Sequence, residues 1–138
     1  MATFNKFNAF VENVAEKVHN LGSDQLVVAL TNSAPTASNS VLADITQITY
    51  TNLSSRNITT STSSQTSGLY KLVVNDLTLT ASGGSVGPFR YIVVYNDTPT
   101  SPADPLIGYY DYGSSLTLAS GESLTIDFDG TNGLLTIQ

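Results

Sequence analysis

Between Phe89 and Tyr95 the chain sets Phe, Tyr, Ile and Val on both alternating faces, the pattern of a strand covered on two sides. The following stretch, Asn96 to Asp104, holds Pro99 and Pro102 among Thr, Ser and Asp, and Pro105 closes it. Each proline removes an amide donor and fixes its own φ, so a ladder must stop there. Residues 105–112 then return as a second strand, and this pair is predicted to form the centre of the fold. Leu26, Val28 and Leu30 alternate with Gln25, Val27 and Ala29, predicting another strand that stops at Asn32, before Pro35. A short strand is expected around residues 45–51.

Tyr70, Leu72 and Val74 share one parity, whereas Leu77 and Leu79 take the other. A β-bulge at Asn75-Asp76 would restore the register, and a turn between two short strands is the alternative. Gly83, Gly84 and Gly87 predict a turn into the central strand. Leu116 and Leu118, a hairpin signal at Ser120-Gly121, then Leu124, Ile126 and Phe128, a turn over Asp129 to Gly133, and Leu134 to Ile137 complete the series.

At the start, Phe7, Phe10, Val11, Val14, Val18 and Leu21 recur three and four residues apart with polar residues between, predicting an amphipathic helix over residues 4–20. Thr3 is its candidate cap, and Asn20 or Gly22 its closing left-handed residue. From Asn52 to Gly68 the chain is mostly Ser, Thr, Asn and Gln. That reads as a long loop, either mobile or ordered by a neighbour. Short strands with a turn signal between each pair predict a mainly β protein, an antiparallel β-sandwich (jelly-roll-like) with one N-terminal amphipathic α-helix. The expected division is a helical arm, 1–22, and a sandwich domain, 23–138.

Composition narrows the functional classes. A chain of 138 residues is one domain with room for a core. Only 12% of residues are charged and the net charge is −6. Lys6, Lys17, Arg56, Lys71 and Arg90 are scattered, so the clustered cations that nucleic acid demands are missing. With no cysteine there is no disulfide framework, thiolate nucleophile or Cys-based zinc site. Residues 1–20 lack the continuous apolar core of a secretion signal, and no apolar run is long enough to cross a bilayer. Folding in the cytoplasm is expected, which makes the sequons at Asn52, Asn57 and Asn96 chance products of an Asn- and Thr-rich chain.

Candidate chemistry is sparse. His19 is the single histidine; a Ser-His-Asp site would have to use it, while a side chain answering the helix dipole is the plainer reading. Asp127, Asp129 and Asn132 surround a tight turn as in a calcium loop, without the EF-hand's spacing or distal Glu; as turn-formers they need no ion. Tyr91, Tyr95, Tyr109, Tyr110 and Tyr112 could pack ordinarily, anchor an interface or stack on sugars, with Tyr110 and Tyr112 on one face and Tyr109 on the other. Arg90, set in the most apolar strand, calls for a carboxylate partner, Asp111 or Asp127. Paired catalytic carboxylates among Asp111, Asp127 and Asp129 are conceivable, but an acidic chain produces neighbouring acids by chance. No catalytic residue, cofactor or enzymatic activity is expected.

The runs Phe4-Asn5-Lys6-Phe7, Glu16 through Gly22, Val28 through Pro35, Ser85 through Tyr91, Pro102 through Gly108 and Asp127 through Gly130 resemble small structural proteins of tailed bacteriophages. The likeness spans most of the chain, least over residues 52–68, and transfers no catalytic residues. It implies a virion component, above all a head decoration or cement protein. Such a protein would bind the major capsid protein on the outer shell, commonly as a trimer, and brace it against DNA pressure. A tail or baseplate protein and a carbohydrate-binding module for host recognition are the alternatives. On this reading the contacts come from residues 3–20 and the stretches 52–68 and 96–104, with Phe4, Phe7, Phe10, Val11, Val14, Arg56, Ile58, Tyr109 and Tyr112 as interface candidates.

Overall fold

In the computed structural model, which describes residues 2–138, the chain runs β1 (Asn5–Lys6), α1 (Asn8–Ala15), β2 (Leu26–Thr31), a 3₁₀ turn (Leu42–Asp44), β3 (Asn57–Ile58), β4 (Thr60–Thr66), β5 (Leu69–Val74), β6 (Leu77–Thr80), β7 (Val86–Asn96), β8 (Leu106–Leu118), β9 (Ser123–Ile126) and β10 (Leu135–Ile137). The fold is mainly β with antiparallel ladders, packed as a sandwich. One layer is a five-stranded sheet in the order β1-β8-β7-β2-β3. The facing layer joins a three-stranded sheet, β10-β5-β4, to the pair β6-β9. Strands distant in sequence lie side by side, as in jelly-roll-like sheets: β5 with β10, and β6 with β9.

The strand pair that the apolar run predicted is the centre. β7 pairs β8 on one side and β2 on the other, with Ile92 opposite Tyr110 and Leu30. Alternation then sorts the side chains. Leu26, Val28, Leu30, Ile92 and Val94 face Leu72, Val74, Leu79, Ile126, Phe128 and Leu134 in the main core. Val27, Ala29, Val93, Tyr95 and Leu106 face the opposite way, where Phe7 and Ile45 cover them in a second core. Burial on both faces explains why every residue of β2 is inaccessible.

The N-terminal segment departs from expectation. Only Asn8–Ala15 is helical, because Asn5 and Lys6 pair with Tyr109 and Gly108 and extend the large sheet. Phe7 is completely buried, and Phe10 and Leu21 lie in the main core, so the described part of the 1–22 segment packs into the domain rather than standing off as an arm. Thr3 does not cap the helix; the Asn8 N–H donates to the Ala37 carbonyl at 2.9 Å instead. Lys17, with φ 68°, takes the left-handed closing position proposed for Asn20 or Gly22. The Val18 N–H reaches the Asn13 carbonyl and the Lys17 N–H the Val14 carbonyl, the two bonds of a Schellman motif.

Four further expectations are resolved by the structure. Residues 45–51 form no strand; this irregular chain puts Ile45 in the second core and packs Ile48 and Tyr50 against the main one. The Ser/Thr stretch is ordered within the chain: β4 and β5 form a hairpin whose two-residue turn, Ser67-Gly68, has both φ angles positive. At Asn75-Asp76 the alternative holds, since β5 and β6 are separate short strands in different sheets. The Ser120-Gly121 turn likewise leads β8 into β9 without pairing them.

Candidate contact surface

A depression of about 500 Å³ lies between the end of α1 and the β4–β5 hairpin. Val14, Leu21 and Gly22 form one bank; Ser63, Tyr70 and Ile137 form the other. Its floor is apolar because Tyr70 and Val14 pack on the core from outside. Ile137 stays 36% exposed, and Val11, one helical turn before Ala15, is 53% exposed. A smaller cleft of about 170 Å³ opens between the layers, lined by Ile92, Tyr110, Tyr112, Leu124 and Asp127. Tyr112 is 47% exposed there, and Tyr110 is buried beside it. Burial, helped by the negative charges of Asp127 and Asp129, pushes the Tyr110 hydroxyl up to about 12.

The interface candidates separate into two groups. Val11 and Tyr112 are exposed, and Phe4, Val14 and Tyr109 are half-buried against the cores. Phe7, Phe10 and Ile58 are buried within the chain, so they offer nothing to a neighbour. Arg56 is also committed internally: it donates to the Val28 carbonyl at 2.6 Å, and its guanidinium lies 3.7 Å from the Tyr50 ring centre. The 96–104 loop is held by its own bonds, among them Asp97 N–H to the Gln25 carbonyl and Gln25 N–H to the Thr98 hydroxyl. Ile137, exposed on the groove, and Leu69, exposed on the opposite face of the β4–β5 hairpin beside Thr66 and Lys71, were missed in sequence because they stand at the ends of short strands with too few neighbours to show a pattern.

Polar side chains are mostly spent on structure. Arg90 meets Asp111 through two parallel bonds, Nε to Oδ1 at 2.8 Å and Nη2 to Oδ2 at 3.0 Å; Asp127 is not its partner. These bonds, with the Gly113 N–H, hold the Asp111 carboxyl below its usual range. Asp129 accepts from the backbone and side chain of Asn132 and from the Thr131 N–H, which lowers it as well. Asp127 accepts from the Asp129 N–H. The proposed calcium loop is thus a turn braced by its own acids, and among the described residues no three His, Asp or Glu side chains gather as a metal site.

His19 is buried against Phe10. The Thr98 N–H donates to Asn96 Oδ1, which aims the amide nitrogen of Asn96 at both Asp24 Oδ2 (2.7 Å) and His19 Nδ1 (3.0 Å). Nδ1 must therefore accept, and the proton sits on Nε2, a buried atom with no partner. Burial pulls the imidazole below its ordinary value, opposed by Asp24. This locks the junction of α1, β2 and the 96–104 loop. Among the described residues no helix is long and apolar enough to cross a membrane. No family model, curated protein or solved structure matches this chain.

Proposed function

We propose that this chain is a capsid decoration protein that binds the major capsid protein on the outside of a phage head and stabilises the shell. The observation that carries the reading is the groove between α1 and the β4–β5 hairpin, apolar in its floor, with exposed Ile137 on its rim. A partner that fills it buries apolar surface against Val14, Leu21, Tyr70 and Ile137, with Lys17 the one charged side chain in the lining. The sandwich behind it is stiff, cored on both faces of its large sheet, so little ordering cost opposes association. The phage resemblance of the run from Glu16 to Gly22, most of which lines the groove, points the same way. Repetition over a shell multiplies modest contacts through effective concentration.

Gold-labelled antibody against this chain, applied to intact virions, should mark the head surface evenly. Label confined to tails would replace the reading with a tail or baseplate role. A specific observation favours one other reading: exposed Tyr112 beside the interlayer cleft, with Asp127 at its wall, is the pairing of aromatic face and acceptor that a sugar ring requires. Glycan binding abolished by Tyr112→Ala would favour that reading over decoration.

A further inference from the structure

The outer edge of β4 is open. It ends the sheet order β10-β5-β4, every residue from Ser61 to Thr66 is exposed, and among the described residues no backbone bond from outside the hairpin reaches Ser61, Ser63 or Gln65. Folded proteins usually blunt such an edge with Lys, Pro or a covering loop. This one carries no Lys or Pro, and its one irregularity is the register shift at Ser61. Gly22 lies against the Ser63 side chain on one face only, and the run from Asn57 to Tyr70 contains no charged residue.

The two-residue turn fixes which amides are free. In such a hairpin the residues flanking the turn exchange both ladder bonds, so Thr66, Ser64 and Thr62 spend theirs on β5, opposite Leu69, Lys71 and Val73. Ser63 and Gln65 therefore direct their N–H and C=O outward.

We infer that β4 pairs antiparallel with β4 of a second copy of this chain, joining two three-stranded sheets into one across a twofold axis at Ser63. The edge is self-complementary. With Ser63 opposite its own symmetry mate, Ser64 falls opposite Thr62 and Gln65 opposite Ser61, hydroxyl and amide pairs throughout, and the ladder ends at Ser61, where β4 shifts register against β5. The chain already uses such pairs to hold strands together: Thr78 with Thr125 at 2.9 Å and Thr80 with Ser123 at 2.7 Å. Charge supports a like partner. Two copies, each at −6, repel wherever acids approach, and an uncharged strip is where that repulsion is least. The contact is isologous and closes at two copies. It does not depend on the decoration reading, and a threefold ring cannot be built on it.

Sedimentation velocity over a wide concentration range tests this on the full chain. A monomer–dimer equilibrium is expected, with Ser63→Pro raising the dissociation constant at least about tenfold, because proline deletes an outward donor while leaving the β5 ladder intact. Ser64→Lys, at an exposed side chain, should weaken the dimer similarly and guards against a proline variant that misfolds. In the unmodified protein, dimerisation should slow hydrogen exchange at Ser63 and Gln65. A chain that stays monomeric, forms trimers, or dimerises without response to Ser64→Lys and without protection at Ser63 and Gln65 overturns the inference.

Discussion

A single buried imidazole makes this protein acid-sensitive in a definable window. Since the folded state holds His19 below its ordinary value of 6.5, its contribution to stability is complete above that value. It is lost as pH falls from there toward the folded-state value, because the unfolded chain takes up the proton first. Protonation within the fold would also set an Nδ1–H against the Asn96 amide. Denaturant melts should therefore show stability declining below pH 6.5, and His19→Phe should flatten that part of the curve; an imidazole titrating at or above 6.5 by NMR would contradict this. Asp44, Asp111 and Asp129 are all held low. What they contribute is present above 3.8, the ordinary value, and disappears only in stronger acid. The Arg90–Asp111 pair was legible in sequence because a charge within an apolar strand requires a partner nearby. The His19 lock was not, since it joins residues 19, 24 and 96, which no local pattern connects.

At the scale of elements, the N-terminal segment shows where pattern reading fails. Phe4, Phe7 and Phe10 have helical spacing, yet Phe7 precedes the helix and serves the second core while Phe10 serves the first. Three-residue spacing cannot separate a helical stripe from a strand that turns into a helix. The consequence is testable. Removing residues 1–20 should unfold the domain rather than free it, and Phe7→Ala should cost about 3–5 kcal/mol in chemical denaturation. Gly108 makes the same point from the sheet side. A methyl group there would stand 2.5 Å from the Phe4 ring and 2.8 Å from the Asn5 carbonyl. Gly108→Ala should destabilise by about 1–3 kcal/mol, seen as a lower melting temperature with earlier proteolysis near the N-terminus. The Ser/Thr run of β4 escaped recognition for the opposite reason. Both of its faces meet water along most of its length, so no apolar alternation marks it; only Ser67-Gly68 before Leu69 signalled a hairpin.

For the whole molecule, the two cores around one large sheet make a stiff body, while its apolar groove and uncharged edge lie together on the β4–β5 side. Ser63 belongs to both. The central strand pair announced this architecture because burial on two faces leaves a continuous apolar run. The groove did not announce itself, since its banks come from residues 14–22, 63–70 and 137. If decoration is the role, placing charge in the groove should weaken capsid binding with little effect on folding. Ile137→Asp in the groove and Val11→Asp on the exposed face of α1 should each shift stability by less than about 0.5 kcal/mol and reduce binding at least about tenfold. For the decoration proposal the most direct measurement is co-sedimentation of the purified chain with expanded phage heads that lack it. Saturable pelleting, reversed by these two substitutions and accompanied by heads that survive greater heat, is the predicted result; a chain left wholly in the supernatant at saturating concentration would contradict the account.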